Sequence, residues 1–205
     1  MQAREDITGA ARRQFAYYKH LGDRVLERLD ADQLHWEPVP GGNSVATLAK
    51  HLAGNMRSRF VDFLTADGEK PTRDREGEFA ADAAAPEVVR MRWERGWAAV
   101  FAALDEVDRA GLRDPDGQER IVYIRAKGHT VTEALLRQLC HYGYHVGQMV
   151  LLARMLLGDA WESLSIPRGG SAAYNAASFA AGPRREHFTE EFLGSVAAPP
   201  RDAQT

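Results

Sequence analysis

A chain of 205 residues is long enough for one domain with its own core and gives no reason to divide it further. Apolar residues make up 44% and charged residues 27%, the balance of an ordinary globular protein; a net charge of -3 offers no basic field for a phosphate backbone, so nucleic acid is not an expected partner. Cys140 is the single cysteine, which excludes an intramolecular disulfide and any multi-cysteine zinc site. Arg4, Glu5 and Asp6 stand where a signal peptide would need apolar residues, and no apolar run approaches the ~18 residues of a membrane span, so a cytoplasmic protein without a membrane segment is expected.

Four stretches read as long amphipathic helices. The first runs from about Asp6 to Leu29, with Ile7, Ala10, Ala11, Tyr17, Tyr18, Leu21, Val25 and Leu29 recurring mostly at helical spacing. Asn43 and Ser44 then close a Pro-Gly-Gly loop with N-cap chemistry, and a second helix follows from about Val45 to Leu64 along Leu48, Leu52, Met56, Phe60, Phe63 and Leu64. The charged segment from Thr65 to Asp82 reads as loop. Pro86 suits the first turn of a third helix, marked by Val89, Trp93, Trp97, Val100, Phe101, Leu104 and Val107 and closing near Gly111. After the turn at 114–117, Ile121 to Ile124 reads as a short strand or extended chain. Thr130 and Glu133 form a capping box that opens the fourth helix, which ends at Gly158. From Asp159 onward the proline-, glycine- and serine-punctuated chain reads as irregular, with its last residues disordered. The expectation is an all-α four-helix bundle over 1–175, with long crossover connections at 65–85 and 111–129, and an irregular or disordered tail over 176–205.

Chemistry concentrates in three histidines. His141 and His145 lie four apart on the fourth helix, so they share a face about 5–6 Å apart, in line with Ala134, Gln138, Gln148 and Leu152. Alone, such a pair is more often a surface or core-edge pair than a ligand pair. His51, on the edge of the second helix's apolar stripe, adds a third imidazole that needs a partner if buried. Three histidines on one ion leave a tetrahedral position open to water or substrate, the pattern of a reactive site. No Glu separates His141 from His145, which sets the pair apart from the zinc-protease helix. Arg57 and Arg59 could hold an anionic substrate group or simply pair with Asp62 or Glu69. Tyr142, Tyr144 and Gln148 are candidates for contacts to the ligands. His129 would stand about 18 Å before His141 on a continuous helix and is left out of the set, and His20, His35 and His187 have no evident convergent partners. Cys140 points about 100° from His141 and reads as a small buried hydrophobe.

The chain resembles the DinB/YfiT-like superfamily, four-helix bundles with a histidine on the second helix and an H-x-x-x-H pair on the fourth. The resemblance rests on His51 within the string from Lys50 to Arg59, on His141 and His145 within that from His141 to Gln148, and on the tail string from Trp161 to Gly169. That tail is similar to a functionally uncharacterised subfamily, and the likeness extends from about Gln14 to Asn175. It implies one divalent ion, nickel or zinc, held by His51, His141 and His145. Some members move a low-molecular-weight thiol onto an electrophile; others are known only as damage-inducible proteins. The expected function is thus a metal-dependent enzyme acting on a small molecule, a thiol S-transferase or a hydrolase. The alternative is a metal-binding stress-response or structural protein without turnover.

Leu136, Cys140, Gly143, Gly147 and Leu151 fall on the face of the fourth helix opposite the histidines. Two interior glycines cost about 1 kcal/mol each relative to alanine, so close approach of another element is expected there. Either the tail or a second subunit could supply it, and a homodimer is one expectation.

Overall fold

Caps and periodicity set the limits of four long helices. The computed structural model describes residues 7–193. They form α1 (Ile7–Arg28), α2 (Ala31–His35), α3 (Val45–Phe60), α4 (Arg75–Phe79), α5 (Pro86–Ala110), β1 (Ile121–Ile124), β2 (Lys127–Thr130), α6 (Val131–Leu157), a 3-10 turn (Gly158–Ala160), α7 (Ser171–Ala180) and α8 (Glu190–Leu193). Ser44 caps α3 by accepting from the Thr47 amide. Thr130 and Glu133 complete the expected capping box at the head of α6, satisfying donors that would otherwise be orphaned. Gly158, at φ 52°, ends that helix.

The long helices close a ring: α1 packs on α5 and α6, and α3 packs on the same two. Chain neighbours α1 and α3, like α5 and α6, are therefore joined by connections that cross the bundle. The expected all-α bundle forms, with the expected crossing at 111–129, but the other crossing link is 30–44; the 65–85 link joins α3 to α5, which pack directly on each other. At its centre, Phe15, Phe60, Trp97 and Tyr142 meet with ring centroids 5.7–6.4 Å apart. Trp93 packs edge-on against Trp97 and donates its indole N–H to Asp23. Such rings bury large apolar areas in preferred tilted geometries.

Several boundaries differ from expectation for identifiable reasons. The second long helix stops at Phe60, not Leu64, because the chain turns at Asp62, whose φ is 52°. The links at 30–44 and 65–85 hold short helices, α2 and α4, each opened by an Asp N-cap, Asp30 and Asp74. Ile121–Ile124 is a strand, paired antiparallel with β2 from Ile121↔Thr130 to Ile124↔Lys127. Its turn residues Arg125 and Ala126 both have positive φ, and their amides donate to Asp67. The tail is not irregular throughout, since α7 and α8 lie in it. Asp6 and the residues after Leu193 lie outside the described residues, and the expected disorder of the last residues with them.

The outer face of α6 also differs. Cys140 is exposed, not buried, and Leu136 and Leu151 are 47% and 57% exposed. Gly143 does meet a close neighbour, because a Cβ there would lie 2.8 Å from Tyr18 Oη of α1, whereas nothing lies within 4 Å of one at Gly147. No described helix is long and apolar enough to cross a membrane.

Candidate metal centre

His51, on α3, faces His141 and His145 on α6, and one ring nitrogen from each of the three lies within 4.8 Å of the other two. The register that brings them together is fixed by the neighbours of each ligand. Asn55, one turn after His51, accepts from the hydroxyl of Tyr142, the residue after His141, at 3.1 Å. Tyr142 is fully buried, and burial pushes its phenol well above the ordinary value, so it remains a donor.

His51 is 4% exposed and is oriented by α4. Its Nδ1 lies 2.9 Å from Glu78 Oε2, and Phe79 packs against its ring at a centroid distance of 4.5 Å. Burial opposes the charge on Glu78. The hydrogen bonds from Arg73 and then His51 outweigh it and hold the carboxyl below its usual range. An ionised carboxylate can only accept, so His51 donates from Nδ1, which leaves Nε2 as the nitrogen turned toward His141. Arg73 grips Glu78 through two bonds of 2.8 Å, Nε to Oε1 and a terminal nitrogen to Oε2. Glu78 fits against α3 only because residue 54 is glycine: a Cβ there would lie 2.7 Å from Glu78 Cδ.

His145 is oriented in the same way, its Nδ1 donating to Gln148 Oε1 at 2.8 Å. Two of the three imidazoles thus carry the hydrogen-bonded partner that fixes tautomer and ring angle in metal sites. His51 Nε2 and His141 Nε2 are 3.3 Å apart. Two nitrogens each ~2.0–2.1 Å from one tetrahedral ion would be about 3.3 Å apart, so this pair already has that spacing. Burial, then the neighbouring His145 and His51, lower the His141 pKa to about 3, and burial lowers His145 too. Both are neutral at pH 7 and offer lone pairs. Gln138, one turn before His141 and 3% exposed, adds a side-chain oxygen with no hydrogen-bond partner among the described residues. A face rich in neutral acceptors and short of donors fits a cation.

The remaining candidates separate. Arg59 is buried and committed to the Gly68 carbonyl and to Glu69 at 3.0 Å, which removes it as a holder of substrate, while Arg57 is exposed. Gln148 touches a histidine as expected. Tyr144 packs edge-on against His145, and Tyr142 turns its hydroxyl to α3 instead. His129 sits on β2 near Arg137, and His35 donates to the Ala84 carbonyl. Glu78 and Arg73 were missed, because they lie in a charged stretch read as loop. Gly54, an unexplained glycine inside a helix, was the one available signal.

A family model described as "Protein of unknown function (DUF1572)" matches residues 3–170, which takes in all four long helices and the three histidines. No curated protein and no solved structure matches the chain. The match spans most of the sequence, and the chain belongs to the DUF1572 family.

Proposed function

We propose that this protein is a DinB/YfiT-like, divalent-metal-dependent enzyme that moves a low-molecular-weight thiol onto a small electrophile, with His51, His141 and His145 as the ligands of zinc or nickel. One observation carries the reading: three histidines converge, two with Nδ1 engaged by Glu78 and Gln148, and two with pKa values lowered toward the neutral form. A divalent ion bound there supplies Lewis acidity, which lowers the pKa of a thiol or a water molecule toward the neutral range.

The chain's own residues favour the thiol. Glu78 is held ionised between Arg73 and His51, and Gln148 is neutral, so neither is free to carry a proton for the substrate. The ion would acidify either nucleophile, but with no residue to carry a proton the thiol, at ~8.5 when free against ~16 for water, needs the smaller shift to ionise. Glu78 and Gln148 act as positioning residues, and His141 and His145, half-buried beside buried His51, leave one side of the cluster reachable. A cytoplasmic setting, where thiols stay reduced, is part of the same proposal.

The test is conjugation of small thiols to a chromogenic electrophile by protein loaded with zinc or nickel, with metal content measured in parallel. Turnover should disappear on chelation, return with the metal and be absent from His141→Ala. Metal-dependent ester hydrolysis without conjugation would favour the hydrolase. Stoichiometric metal with neither activity would favour the non-catalytic metal-binding reading.

A further inference from the structure

A cavity of about 440 Å3 opens between α3, α5 and the segment that carries α4, and none of the three histidines lines it. Its size is that of a small-molecule site. Lys50, Gly54 and Arg57 recur along α3 at spacings of four and three, with Val61 just past its end, so one face of the helix forms one wall. Arg92 and Arg95 line the cavity from α5. The two helices are drawn together at Gly96, where a Cβ would lie 2.9 Å from Ala53 Cα, and Ala53 itself lines the cavity. Lys70 and Arg73 complete the ring from the loop.

Six cationic side chains therefore surround this space against two carboxylates, Asp74 and Glu78, in a chain whose net charge is -3. Internal pairing accounts for four of the six. Lys50 and Arg92 share Asp82, Lys70 donates to the Asp67 carbonyl, and Arg73 holds Glu78. The side chains of Arg57 and Arg95 make no hydrogen bond or ion pair among the described residues. Scattered surface arginines need no explanation. Two arginines on facing helices with unpartnered side chains, lining one cavity with four partnered cations, leave a local excess of positive charge there. Guanidinium groups donate two parallel hydrogen bonds to paired oxygens of phosphate or carboxylate, and the apolar side chains of Ala53 and Val61 suit a carbon skeleton.

We propose that this cavity binds a small organic anion through a phosphate or carboxylate group, with Arg57 and Arg95 as its principal contacts. The site is separate from the histidine cluster, although Glu78 borders both.

Calorimetric titration of the full chain, at constant ionic strength, tests this with two probes, inorganic pyrophosphate and succinate. Saturable binding of at least one is expected, and the stronger of the two assigns the anionic group. Arg57→Gln/Arg95→Gln should weaken that binding by about tenfold or more, since charge-assisted hydrogen bonds are lost, while metal content stays at the wild-type level. Both positions are exposed, so the fold should survive; circular dichroism checks this, and each single variant should show a smaller loss in the same direction. No saturable binding of either probe, or binding unchanged in the double variant, would overturn the proposal.

Discussion

Gly54→Ala adds one methyl group on a helix and should weaken metal binding at a residue three positions away. The added Cβ would meet Glu78 Oε1 first, and would lie 2.7 Å from Cδ and 3.0 Å from Cγ, closer than ordinary carbon contact at ~3.5 Å, so the carboxyl must retreat by at least about 0.8 Å. Moving the end of a flexible side chain is sterically cheap, but this end makes three bonds of 2.8–2.9 Å, two from Arg73 and one from His51. Lengthened to about 3.6 Å, they no longer count as hydrogen bonds. His51 then loses the partner that fixes its tautomer, a loss worth about 10–100-fold in metal affinity, or ~1.4–2.7 kcal/mol. Stability moves in two directions. Alanine gains about 1 kcal/mol of helix propensity, while parting a buried pair costs about 3–5 kcal/mol, so a net loss of roughly 2–4 kcal/mol is expected.

The assay is competition for zinc against a chelator of known affinity, at a temperature where melting curves show the variant fully folded. A double-mutant cycle isolates the cause. In a Glu78→Ala background there is no carboxyl to displace, so Gly54→Ala should leave metal affinity unchanged and raise stability through helix propensity. A folded Gly54→Ala protein binding zinc within about twofold of wild type would refute the reasoning, because the positioning contact would then be dispensable. An equal loss in both backgrounds would refute it as well, by showing that alanine acts on α3 directly.

His51→Ala, His141→Ala and His145→Ala should each abolish or sharply reduce the single divalent ion measured by elemental analysis; wild-type metal content in any two of them would show that the ligands are misassigned. Chemical denaturation of the metal-free protein should show stability falling as pH drops from about 6.5 toward 3, because His141 and His145 have folded pKa values below the unfolded ~6.5 and the unfolded chain takes up more protons in that window. A pH-independent stability across that range would contradict the burial of these imidazoles. Cys140 should react with a thiol reagent in the folded state, since its side chain is exposed; protection until unfolding would restore the buried placement. We also propose that a second copy covers the apolar strip of Leu136, Tyr144, Leu151 and Met155, which are 47–64% exposed and uncovered by any described residue, tail helices included. Gly147→Leu should then break the dimer and spare metal content, and light scattering that reports a monomer at micromolar concentration would exclude it.

What the sequence made legible follows the range of the interactions involved. Ser44, Thr130 with Glu133, Pro86 and Gly158 act within one or two turns, so they marked the ends of α3, α5 and α6 without knowledge of the fold. The pairing of His141 with His145 is a local fact of helix geometry, and the addition of His51 needed only that α3 and α6 face each other. Glu78 is different. It reaches His51 across 27 positions, from a short helix inside a charged stretch, and nothing in its own neighbourhood separates it from Glu69 or Glu76. The glycine that admits it was visible, but its reason was not, because the reason lies in another segment. Arg57 and Arg59 teach the complementary point. Two residues apart on a helix, they point about 200° from each other, so at most one could join any single site. Periodicity required the split, and only packing against the 61–74 loop decided that Arg59 turns inward to Glu69 while Arg57 faces the cavity. The outer face of α6 failed for a similar reason. An apolar stripe shows that a surface can be covered without showing that it is, and Leu136, Cys140 and Leu151 remain open in the single chain. Ligands carried on long helices can thus be read from spacing. The groups that orient them, borne on loops and fixed by tertiary contacts, have to be found in space.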